Sequence, residues 1–169
     1  MPVELTMNLL LLFNQTKTVD GFLVQTEPNA NTSIAQSNGT AINEQDLLWF
    51  DKGRVLSAGA SEEIDLAGSL SDAFGDTITF ARVKGISIQN TNITAGDVLR
   101  VGGAASNAFP LFVDTSDKFD IGPGAYFLYQ DPSEAGKPVT GGTGDLLKFE
   151  EIGGANDLTF DILIWGASA

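Results

Sequence analysis

The chain has 169 residues, 43% of them apolar, and a formal charge of −13 from 22 acidic and 9 basic side chains. It contains no cysteine and no histidine, which excludes disulfides, thiol nucleophiles, Cys/His zinc sites and Ser-His-Asp catalysis. So acidic a chain is poorly suited to nucleic acid, whose phosphates call for Lys and Arg.

A chain of this size and apolar content can bury a sizeable core. Its 19 glycines and 18% charged residues suit many strands joined by tight turns. The apolar run Leu9–Phe13 is far shorter than the ~20 residues that span a bilayer, so no membrane partner is expected. No basic residue precedes Lys17, and the start does not resemble a secretory signal. The Asn-X-Ser/Thr triplets at Asn14, Asn31, Asn38 and Asn92 are read as chance matches in a chain rich in Asn and Thr.

Val3–Phe13 alternates over six positions and predicts a strand, apolar on both sides at Leu10 and Leu12. Asn14–Lys17 reads as a turn and Val19–Gln25 as a short returning strand. Residues 27–43 are dominated by Asn, Ser, Thr and Gln and read as a long polar loop or arm. Asp51-Lys52-Gly53 between two apolar runs predicts a hairpin of Asp46–Phe50 with Arg54–Ala58. Leu70 and Phe74 are four apart, which fits one helical turn tucked under the core.

Thr77–Asn90 reads as one long strand with phase slips, the second near Gly85, as a β-bulge or a bend between sheets would give. Asp97–Gly102 is a short strand. Phe109–Asp114 is strand-like and edge-suited because of Pro110. Asp114–Pro123 reads as a polar loop and Gly124–Gln130 as an aromatic strand. Leu146–Glu150 and Asp157–Trp165 close the series. About ten strands and no long helix predict a single all-β domain, a β-sandwich or jelly roll.

The closing strand carries Leu158, Phe160, Ile162 and Ile164 on one parity and Thr159, Asp161, Leu163 and Trp165 on the other. A strand apolar on both faces is either central or pressed against another subunit. Leu163, Trp165, Leu10 and Leu12 are therefore the candidate interface residues. Trp165 is expected to lose its exposure only when neighbouring chains are counted.

No catalytic, cofactor-binding or metal-ligating residue is nominated, and no enzymatic activity is expected. Asp114, Asp117 and Asp120 recur every third residue but lack the calcium-loop spacing. The Gly-rich stretches at 102–105 and 141–145 lack a phosphate loop's Lys-Ser/Thr. Adjacent acids such as Glu150-Glu151 point to opposite faces of a strand and cannot flank one bond. Trp49, Phe50, Tyr126, Tyr129 and Trp165 are the aromatics to follow, as core or as binding surface.

Ile64–Gly75 followed by Ile78–Lys84 resembles a recurrent group of small tailed-phage virion structural proteins. Gly96–Leu99, Gly122–Gly124, Gly142–Asp145 and Asp161–Gly166 follow in the order typical of that group, so the likeness spans about residues 49–169. The resemblance implies a decoration or cement protein on the outer surface of a capsid. It also implies the major capsid protein as partner and a homo-oligomer, with a trimer preferred. A tail, neck or fibre component is the first alternative, and a carbohydrate-binding β-sandwich the second.

Overall fold

The computed structural model describes residues 4–12, 15–19, 22–26, 29–68, 70–153 and 156–169. Among them there is no helix, and the expected all-β class is observed. The strands are β1 (Leu5–Leu12), β2 (Gln15–Val19), β3 (Phe22–Thr26), β4 (Asn29–Asn38), β5 (Glu44–Gln45), β6 (Leu47–Leu56), β7 (Ser61–Asp65) and β8 (Leu70–Ser71). They continue with β9 (Thr77–Ile78), β10 (Arg82–Asn90), β11 (Leu99–Gly102), β12 (Lys118–Ile121), β13 (Tyr126–Gln130), β14 (Lys137–Pro138), β15 (Leu146–Glu151) and β16 (Leu158–Ala167).

Two antiparallel sheets share one core. The first runs β13-β10-β16-β6, with β14 beside the start of β10, and the second runs β12-β11-β15-β7. These orders establish a two-sheet all-β fold and do not single out the jelly-roll form. The inner faces follow from period-two alternation. β15 turns Leu147 and Phe149 inward and Lys148 and Glu150 outward. β16 buries Leu158, Phe160, Ile162 and Ile164 almost completely. Phe149 and Phe160 stack between the sheets with centroids 5.0 Å apart. Burying each such side chain contributes about 1.5–3 kcal/mol.

The two open sides of the sheet pair are closed differently. Phe112, Phe119 and Phe127 form an aromatic cluster joining the β13 and β12 side, with centroids 5.3–6.0 Å apart. On the other side Arg54 of β6 donates to both carboxylate oxygens of Glu62 of β7 through Nε and Nη2, and to Asp51 through Nη1.

Several sequence expectations are corrected. β6 is one continuous strand, not a hairpin, because both of its halves pair with β16. Gly53 does take a left-handed φ of 67°, but as a bulge, and Asp161 Oδ1 accepts its N–H at 2.7 Å. Residues 29–38 of the polar stretch form β4 and not a loop, pairing with β1 from Leu5↔Gln36 to Leu12↔Asn29. A two-stranded ribbon is held by backbone hydrogen bonds, so its strands need no apolar alternation. Residues 15–17, read as a turn, belong to β2, which pairs with β3. Val3, Phe13, Asn14, Glu27 and Pro28 lie outside the described residues.

Phe74 is exposed at the tip of the β8–β9 hairpin, and no helical turn forms there. Residues 109–114 form no strand, whereas β12 lies within the stretch read as a polar loop. The long strand at 77–90 is broken into β9 and β10. Its second phase slip is a true bulge, since Val83 faces Gly166 and Gly85 faces Trp165, leaving Lys84 extra.

That bulge joins the ribbon to the body. The Lys84 side chain is fully buried and donates to the carbonyls of Thr40 at 3.0 Å, Ala41 at 2.5 Å and Glu44 at 2.7 Å. Burial, followed by the nearby Arg82 charge, pushes its pKa below the ordinary lysine value. Beside it the Trp165 indole lies over Gly85 and donates Nε1–H to Gln36 Oε1 at 3.0 Å.

Trp165 is only 1% exposed within a single chain, so the expectation that neighbouring chains must cover it is overturned. Its parity places it on the outer face of the first sheet, outside the main core cluster. The base of the chain's own ribbon covers it. β16 is also central, lying between β10 and β6.

A Cβ at position 85 would intrude into the Trp165 ring. Gly85→Ala is therefore expected to destabilise the protein by about 1–3 kcal/mol through overpacking. Urea unfolding followed by tryptophan fluorescence measures this. An unchanged midpoint would show that the indole does not rest on Gly85.

Candidate functional site

The outer face of the first sheet is built in rows set by strand register. Tyr126, Gln89 and Asp161 form the first row. Leu128, Ser87, Leu163 and Phe50 form the second. Gln130, Gly85, Trp165 and Leu48 form the third. The ribbon base covers Trp165 in the third row and leaves a groove over the first two. The groove encloses about 390 Å³ between Phe50 and Tyr126, with Lys52 beside Asp161.

Phe50 is 48% exposed and Tyr126 55%. They stand on β6 and β13, with β10 and β16 between them. Three strand spacings across the sheet and a two-residue offset along it separate them by roughly 16 Å. The floor is mixed. Leu163 supplies apolar surface. The Tyr126 and Ser87 hydroxyls are hydrogen-bonded at 2.6 Å. Asp161 accepts the Gly53 N–H with Oδ1. Among the described residues, the Lys52 ammonium and the Gln89 amide have no partner within the chain.

The outer face of the second sheet is unlike this one. Arg100 clasps Asp120 at 2.7 Å, and Lys148 pairs with Glu150 at 3.2 Å. In the register Arg100 also faces Glu150, and Lys148 faces Glu63. A face of interleaved charges is satisfied by water and by its own pairs, each worth little. The grooved face has two exposed aromatics instead.

The sequence-nominated residues separate under this geometry. Leu163, Phe50 and Tyr126 come together in the groove. Trp165 is covered by the ribbon base, and Trp49 faces the core at 7% exposure. Leu10 and Leu12 sit opposite Asn31 and Asn29 in β1, and their side chains lie outside the described part. Lys52, Ser87, Gln89 and Asp161 were not nominated as binding residues. Their alternation with Ile86, Ile88 and Ile162 was visible, but the register that gathers them was not.

The acidic candidates are engaged locally. Asp114 accepts from the Ser116 N–H and hydroxyl, and Asp117 from the Val113 and Asp114 N–H groups. The Ser116 bonds hold the Asp114 carboxyl below its usual range, as Arg100 does for Asp120. No group of three acidic side chains converges on a metal position among the described residues. Glu150 points out to Lys148, while Glu151 is buried and accepts from the Gly59 and Gly153 N–H groups. Adjacent acids on this strand thus do serve opposite faces.

No family model matches the chain, and no curated protein matches it in sequence.

Tyr129 packs half-buried against the core, with its hydroxyl 3.3 Å from Asp131 Oδ2. Burial first, then the Asp131 charge, raises its pKa from 10.0 to about 12. The folded state keeps the proton that the unfolded chain releases near 10. The stability this contributes is complete below pH 10 and is lost as pH rises toward about 12. In Tyr126→Phe, where Tyr129 is the sole tyrosine, phenolate absorbance should appear near 12 in the folded protein. A midpoint at the ordinary value would contradict this environment.

Proposed function

We propose that the chain is a non-enzymatic virion structural protein that decorates the outside of a tailed-phage capsid. The β1–β4 ribbon acts as its anchoring arm, and the two-sheet body is displayed. The observation that carries this reading is the ribbon's fixed base. Lys84 and Trp165, side by side at one β-bulge, bind residues 36–44 to the body.

From that base the ribbon has eight paired positions, a reach of about 26 Å at the usual rise per residue. Among the described residues it is joined in its sheet only by the two-residue β5. A rigid root with a long ribbon suits a protein that reaches a neighbouring subunit of a shell. The partner in this reading is the major capsid protein, and the chain forms a trimer on the shell. Many copies make modest individual contacts sufficient, because multivalency multiplies them. The strongly acidic surface keeps unbound copies soluble and apart.

A variant tests the arm without disturbing its root. Asn8 pairs with Ser33, so replacing residues 9–32 with an Asn-Gly turn cuts the ribbon back to its base and closes it in register. Wild-type protein should sediment with assembled shells of the encoding phage, saturating at a stoichiometry of hundreds per particle. The shortened variant should stay folded and lose most of that binding. A copy number in the range of a tail or neck ring, or undiminished binding by the variant, would overturn the reading.

A further inference from the structure

We propose that the groove between Phe50 and Tyr126 is a binding site for a neutral oligosaccharide. This does not rest on the shell-decoration reading, since the groove belongs to the body and the proposed anchor is the ribbon. Three observations select this ligand chemistry.

The first is the pairing of exposed aromatics across the face. Phe50 and Tyr126 offer ring surface to the C–H faces of sugars, and each is about half exposed without a ligand. Their roughly 16 Å separation, three strand spacings and a two-residue offset, exceeds one sugar ring and fits a short chain. A single stacked aromatic on a flat sheet would specify far less.

The second is the floor between them. Lys52 and Gln89 bring donors, and Gln89 also an acceptor, with no partner inside the chain among the described residues. Asp161 has one oxygen fixed by the Gly53 N–H and presents the other on the same floor. The Tyr126–Ser87 hydroxyl pair adds a donor and acceptor at the rim. Alternating donors and acceptors on an apolar floor are what a polyhydroxylated ligand uses for orientation. A purely apolar peptide segment would leave Lys52, Asp161 and Gln89 desolvated and unpaired, at a cost.

The third is charge. The groove holds one Lys and one Asp and is formally neutral, in a chain carrying −13 overall. That field repels acidic glycans and anionic surfaces and leaves neutral sugars unaffected. The glycine at the Gly53 bulge contributes too. Its N–H fixes the Asp161 carboxylate in the groove lining.

The test uses the full recombinant chain on an array of neutral and acidic oligosaccharides. Calorimetric titration with cellotetraose, maltotetraose and chitotetraose follows. Binding of at least one neutral oligosaccharide, and of no sialylated or sulfated probe in preference to it, is the expected result. Phe50→Ala and Tyr126→Ala should each weaken it tenfold or more (about 1.4 kcal/mol or greater), and Gln89→Ala severalfold. All three positions are solvent-facing, so unchanged urea midpoints verify that folding is retained. Amide resonances of β10, β13 and β16 should shift during titration, with those of β11 and β15 unmoved. A blank array together with no shift at millimolar sugar would overturn the proposal. So would binding that both aromatic variants preserve, or preferential binding of acidic glycans.

Discussion

A buried ammonium with three carbonyl partners is the constraint on which the arrangement of this protein depends. Lys84 has no exposed surface, and an unpaired charge in that position would cost several kcal/mol. The carbonyls of Thr40, Ala41 and Glu44 saturate its three N–H donors. Charge-assisted bonds of this kind contribute about 1.5–3 kcal/mol each. The dependence is mutual. Without the loop the lysine is stranded, and without the lysine three carbonyls are. Folding of the ribbon base and of the body is thereby made one event at this point. The bulge makes it possible, because an inserted residue leaves Lys84 out of register with both faces of the sheet.

The same bulge determines which surface remains free. Gly85 lets the Trp165 indole lie flat on the outer face, and Gln36 caps its N–H. One end of the sheet's outer face is therefore used internally. The other end keeps Phe50, Leu163 and Tyr126 open to ligands. The outer face of the second sheet presents paired charges instead. A single chain thus has an attached ribbon, a grooved face and a solvated face, each with its own chemistry.

The closing strand was readable from sequence because a period of two is strict and its apolar set is long. Leu158, Phe160, Ile162 and Ile164 face the core as their parity required. The bulge near Gly85 was also readable, since an inserted residue is the simplest way for a strand to change phase beside a glycine. What failed was long-range pairing. Asp51-Lys52-Gly53 has the chemistry of a turn, and only its partner strand makes it a bulge. The polar residues of β4 carry no alternation, so nothing local marked them as a strand. Trp165 was expected to be covered by a neighbouring chain, but the cover came from residues of its own chain read as a loop. The groove had its aromatics nominated and its polar floor missed, because register between β10 and β16 assembles it. Lys84 gave no signal at all, since a lone lysine in a strand usually points to water.

Buried polar atoms crowd the ribbon base. The amides of Gln45 and Gln130, and Nε2 of Gln36, have no hydrogen-bond partner among the described residues. A region held by one ammonium, one indole N–H and a few backbone bonds amid unsatisfied groups is where local opening should begin. Native-state amide hydrogen exchange of Lys84→Met, compared with wild type, tests the central claim most directly. The expected result is selective loss of protection at Ser37, Gly39, Asn43 and Glu44, whose amides bond within or across the base. The core amides of β15 and β16 should retain theirs. Unchanged protection at those four amides in the variant would contradict Lys84 as the lock between ribbon and body.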